Sequence, residues 1–176
     1  MLEVSEDLAQ IIGCCIDFQD NYTGSYDSNG NPIVEIDHRG GVFSVYSGSG
    51  DYFMAITSRQ LSNISDYPIS ESEPIANVDQ KQIQDIADGL GTSSIELNIE
   101  SKISDADGIE YFDGYTARGA LYVDENFTLR EFDTTLSEID EICRRAFSDT
   151  LDALAIDRDV DDAAGGEDSS TPSAFQ

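Results

Sequence analysis

Lysine is nearly missing from this 176-residue chain, tryptophan is missing altogether, and histidine occurs once. Each gap closes a class of function. Two lysines, Lys81 and Lys102, and seven dispersed arginines form no basic stripe, so a nucleic-acid surface is not expected. A Ser–His–Asp or Cys–His device needs a histidine held by a carboxylate. His38 stands beside Arg39, Gly40 and Gly41, which reads as an exposed turn between strands. The three cysteines, adjacent Cys14 and Cys15 plus Cys143, show no C-x-x-C spacing and read as small buried apolar residues rather than a disulfide or metal framework. No run reaches the 18 or so apolar residues of a membrane span. "MLEVSEDLAQII" lacks the basic and apolar regions of a signal peptide, so an intracellular protein that does not enter a membrane is expected. Phosphate-loop, G-x-S-x-G, H-E-x-x-H and dinucleotide motifs are also missing, so no catalytic residue, cofactor or metal site is assigned.

What the chain has in excess is carboxylate. Thirty-six acids against nine bases give a formal net charge of −27, with acids scattered through every segment. An acidic tail would explain a local excess only. The whole-chain pattern resembles that of proteins from extreme halophiles, haloarchaea or their viruses, and implies a potassium-rich, high-salt cytoplasm. At molar ionic strength the Debye length falls to about 3 Å, so self-repulsion of such a surface is screened, and non-specific cation association is expected. A rival reading, a DNA mimic, requires a patterned acidic face.

The acids build no specific calcium loop. A calcium-binding EF-hand loop needs ligands at positions 1, 3 and 5, glycine at 6 and an acid at 12. Starting at Asp157, position 6 is Asp162; starting at Asp27, proline stands where glycine belongs. Residues 157–176 lose all periodicity and read as a solvated acidic tail after a single domain over 1–156.

Within that domain, residues 2–18 predict a helix with Ser5 as N-cap and a stripe of Leu8, Ile11, Ile12, Cys15 and Ile16; Gly13 either weakens it or permits close packing. Residues 20–32, "DNYTGSYDSNGNP", read as a loop. "PIVEI", "VFSVYS" and "YFMAITSRQL" alternate with period two between short turns, "HRGG" and "GSGD", and predict a three-stranded meander. Residues 62–78, with Pro68 and Pro74, read as irregular. "DQKQIQDIADGLG" predicts a short helix capped by Asp79 and ended by Gly89 or Gly91. "SIELNIESKI" and "IEYFDGYTARGALYVDENF" predict a strand pair with a break near Gly114 or Gly119. The clearest element is "TTLSEIDEICRRAFSDTLDALAI". There Leu136, Ile139, Ile142 or Cys143, Ala146, Phe147, Thr150 or Leu151, and Leu154 keep helical spacing behind a capping box of Thr135 and Glu138. The order is α-βββ-α-ββ-α, an α+β fold with helices packed on an antiparallel sheet.

That order over 2–155, with the junction "GALYVDENFTLREFDTTLSEIDEICRRAFSDTLDAL", resembles the domain shared by YbjN-type proteins and type III secretion chaperones. The segment at 62–78 and the acidic tail depart from the compact pattern. The resemblance implies a non-catalytic protein-binding domain, chaperone-like or adaptor, and transfers no functional residue. A structural component of a halophilic virus particle is the alternative, and an enzyme of unassigned class comes third. A protein partner or self-association, including a dimer through the sheet or a helix, is the expected contact. Strand aromatics are the anchors an apolar interface would use, with Tyr46, Tyr52 and Tyr115 as candidates. Arg144 and Arg145, the only adjacent basic pair, are expected to pair with acids of neighbouring elements or to meet an acidic partner.

Overall fold

The computed structural model describes residues 5–48, 52–61, 80–90, 92 and 94–153. Helix α1 (Glu6–Phe18) begins where the sequence puts its cap: Ser5 Oγ accepts the Leu8 N–H at 3.2 Å, and Glu6 and Asp7 occupy the first turn. It ends at Gln19, whose left-handed backbone (φ 60°) turns its N–H onto the Cys15 and Ile16 carbonyls. Leu8, Ile11, Cys14 and Cys15 form its buried stripe. Ile16, expected inward, is 59% exposed. It lies about 120° around the helix from the centre of that stripe, at 3.6 residues per turn.

Four strands follow as a meander: β1 (Asn21–Tyr26), β2 (Pro32–His38), β3 (Gly41–Ser47) and β4 (Tyr52–Gln60). β1 is an addition to the expected three, because residues 20–32 read as loop. Its six exposed residues carry no alternation of burial to betray a strand. The β1–β2 turn does what "DSNGNP" suits it for: Asp27 Oδ1 accepts the Asn29 and Asn31 N–H groups, each at 2.8 Å. Then come α2 (Gln80–Leu90), β5 (Ile95–Ile103), β6 (Glu110–Tyr122) and α3 (Leu129–Ala153). Every pairing is antiparallel, in the order β1-β2-β3-β4-β6-β5. The α+β architecture and the later strand pair are therefore as expected.

The three helices pack on one side: α3 along β4 and β6, α2 on α3, and α1 against α3 and β1. Strand alternation delivers Val34, Ile36, Phe43, Val45, Phe53, Ala55, Ala117 and Leu121 to that side. There they meet Leu136, Ile139, Cys143 and Ala146 of α3 and Leu8, Ile11 and Cys15 of α1. Burying the Val, Leu, Ile and Phe side chains among these stabilises by about 1.5–3 kcal/mol apiece.

Of the two glycines at which β6 was expected to break, Gly114 is the break. Pairing runs from Glu100↔Gly114 to Ser101↔Phe112, leaving Asp113 as the extra residue of a bulge. Gly114 has φ 140°, and a Cβ there would lie 1.9 Å from the Arg59 carbonyl oxygen of β4. Helix α3 starts about two turns before the expected Thr135–Glu138 box. The working box is Thr128–Glu131: the Glu131 N–H donates to Thr128 Oγ1 at 3.3 Å, and the Thr128 N–H donates to Glu131 Oε2 at 2.8 Å. The earlier start brings Phe132 into the core. The Asp79 cap, the Gly91 stop, the "GSGD" turn beyond Gly48, the 62–78 segment, Leu154 and the 157–176 tail lie outside the described residues.

Candidate interaction surface

The sheet has a second face. On it the strand register lines up a row of side chains, Ile33↔Tyr46↔Met54↔Ala120, across β2, β3, β4 and β6. All four are half-buried, and none is charged. Tyr52 and Tyr122 form a directly opposed pair beside this row, ring centroids 5.8 Å apart, with Tyr122 69% exposed. On the other flank runs Glu35↔Ser44↔Ile56↔Arg118↔Glu96. Its charges are tied within the row: Ser44 Oγ donates to Glu35 at 2.8 Å, and Arg118 gives Glu96 Oε2 two N–H bonds at 2.9 and 2.7 Å. Those bonds from Arg118 hold the Glu96 carboxyl below the usual range. The surface is thus an apolar, aromatic centre with a polar border. Among the described residues no helix lies across it.

Two of the three candidate tyrosines, Tyr46 and Tyr52, stand on this face. Tyr115 does not. It is 0% exposed, its hydroxyl 2.8 Å from Thr150 Oγ1 beneath α3. Tyr115 follows Leu121, Gly119 and Ala117 in the regular alternation of β6 and faces inward, so no partner reaches it. Arg144 and Arg145 are exposed on α3, away from the sheet, and Arg144 pairs with Glu141 of its own helix rather than with a neighbouring element.

A second cluster was misread from sequence. His38 is no exposed turn residue; it closes β2 and is 2% exposed. Its Nδ1 lies 2.5 Å from Asp20 Oδ2 and its Nε2 2.8 Å from Asp133 Oδ1, so a carboxylate faces each ring nitrogen. Phe18 and Phe132 stand edge-on to the ring at 5.0 and 5.2 Å. Arg39 completes the cluster, giving Nε–H to Asp133 Oδ1 at 2.6 Å. Arg39 first and His38 second hold the Asp133 carboxyl below the usual aspartate range. The cluster ties the end of α1, the end of β2 and the start of α3, which is a structural role. Asp20 and Asp133, far apart in sequence, gave no local signal of meeting at His38.

The cysteines are buried thiols. Desolvation pushes Cys15 to about 12 and Cys143 to about 11, so neither is a nucleophile at neutral pH. Among the described residues no group of three or more His, Cys, Asp or Glu side chains is placed to hold a metal. No described helix is long and apolar enough to cross a membrane.

No protein-family model matches the sequence, and no curated protein is significantly similar to it. Among solved structures, the fold is similar to that of YbjN from E. coli, with a TM-score of 0.48 and 9% identity, covering 89% of this chain and 96% of that one.

Proposed function

We propose that this chain is a non-catalytic protein-binding domain, chaperone-like or adaptor in type, that works in a high-salt cytoplasm through the uncovered face of its sheet. The observation that carries this reading is the uncharged row Ile33–Tyr46–Met54–Ala120 with the adjoining Tyr52–Tyr122 pair, in a chain with 36 acids. Carboxylates keep most of this surface hydrated, whereas the centre of the open face presents apolar atoms. Apolar contact survives the screening that molar salt imposes on charge, and salting-out conditions strengthen it. The partner this face fits is a protein presenting an apolar ridge to the row Ile33–Tyr46–Met54–Ala120.

The test is capture of a partner from native extract at about 3 M potassium chloride, where the Debye length is only a few Å. Tyr46→Glu with Met54→Glu should abolish a capture that the unaltered chain shows, without changing its melting temperature. Removing residues 158–176 should leave capture intact. Loss of the partner on truncation, with the Glu variant still binding, would move the recognition segment to the tail.

A further inference from the structure

The two edges of the sheet are built differently. β5, at one edge, carries Glu96, Glu100 and Lys102 and faces the register shift, devices that natural sheets use to stop further strands from adding. β1, at the other edge, has none of them. Its sequence, "NYTGSY", holds no charge, no proline and no register shift, and all six residues are exposed. In a chain of net charge −27 an uncharged exposed strand is where a second equally acidic molecule can approach without bringing carboxylates together.

The strand is also self-complementary. Residues 22–26 read Tyr-Thr-Gly-Ser-Tyr, so reversing them exchanges tyrosine for tyrosine and one small hydroxyl residue for another about Gly24. Antiparallel pairing about a two-fold axis through Gly24 sets Tyr22 opposite Tyr26 of a second copy, and Thr23 opposite Ser25. This register preserves the faces. Tyr22, Gly24 and Tyr26 share the face of their β2 partners Ile36, Val34 and Pro32, while Thr23 and Ser25 share that of Glu35 and Ile33. Tyr22 and Tyr26 are 41% and 47% exposed, so their rings can meet across the axis. Cross-strand aromatic pairs and Thr–Ser pairs both favour antiparallel association.

We propose that β1 is a self-association edge, on which a second copy of this chain pairs antiparallel through residues 22–26 to continue the sheet from one protomer into the next. The interface is isologous, as two-fold dimers require. It uses the edge of the sheet rather than the centre of the open face, and neither Tyr46 nor Met54 takes part.

Sedimentation of the full chain, at the lowest salt that keeps it folded, tests this. The unaltered chain should sediment as a dimer. Thr23→Glu with Ser25→Glu sets carboxylate against carboxylate twice across the axis and should raise the dimer dissociation constant about tenfold or more. Both side chains are already exposed, so the circular dichroism spectrum should not change. Thr23→Lys with Ser25→Glu sets lysine against glutamate in the same register and should restore the dimer. Independently, Gly24→Cys should cross-link to its copy under mild oxidation, since directly opposed Cα atoms lie about 4.5–5.5 Å apart, within disulfide reach. A monomeric unaltered chain overturns the proposal. So does a dimer that survives the double glutamate, or a Lys/Glu variant as monomeric as the double glutamate.

Discussion

His38 shows at the scale of one residue how a local reading goes astray. Its neighbours Arg39, Gly40 and Gly41 do form a turn, with Arg39 and Gly40 at φ 50° and 80°. The side chain nevertheless points inward from the last position of β2, where parity puts it with Val34 and Ile36. The alternation of "PIVEIDH" carries that information, since the histidine is two residues beyond Ile36. Its carboxylate partners could not be read, because they come from residues 18 positions before it and 95 after it. Replacing His38 by leucine leaves the Asp20 carboxylate, 9% exposed, without its donor. Breaking a buried pair in this way costs on the order of 3 kcal/mol, which chemical unfolding of His38→Leu should register. The same cluster sets an acid limit. The lowered Asp133 carboxyl contributes stability that is fully present above the ordinary aspartate range and is lost as pH falls through its folded-state value. Arg39→Ala should shrink that acid-dependent loss in pH-resolved melts.

At the scale of elements, periodicity decided what was legible. β2, β3, β4 and β5 alternate, and α3 repeats at helical spacing; all were visible. β1 was not, because an edge strand with every residue exposed has no inward set to mark it. The start of α3 was misplaced because two S/T-x-x-E signals lie in tandem; Phe132, four residues before Leu136, is the apolar position that favours the first. In β6 the bulge was foreseen, but the inward place of Tyr115, two residues before Ala117 in the same alternation, was not. The one-residue insertion reverses which side chains face inward only before Gly114, where it brings Phe112 into the core, and only the pairing with β5 shows that the insertion is Asp113. Gly114→Ala tests that geometry. It forces a Cβ onto the Arg59 carbonyl in a backbone conformation L-residues rarely adopt, and should destabilise the domain by about 2 kcal/mol or more. An unchanged unfolding midpoint would mean that β4 and β6 separate there at little cost.

For the whole molecule, sequence conveyed the fold class and the charge but not the side of the sheet left uncovered. Alternation divides each strand into two sets; only the placement of all three helices on one side assigns the row Ile33–Tyr46–Met54–Ala120 to the other. The charge carries its own prediction. Thirty-six acids against nine bases repel more strongly as the Debye length grows from about 3 Å in 1 M salt to about 10 Å in 0.1 M salt. Melting temperature should therefore fall on dilution from molar potassium chloride, and greater stability in dilute salt would remove the case for a high-salt protein. The binding claim has a direct probe in Met54, at the centre of the open face. Its rate of oxidation by hydrogen peroxide, compared between the free chain and the captured complex in molar potassium chloride, reads out whether that face is covered. Strong protection of Met54 in the complex is the result this account predicts; a Met54 that oxidises as fast in the complex as in the free chain would contradict it.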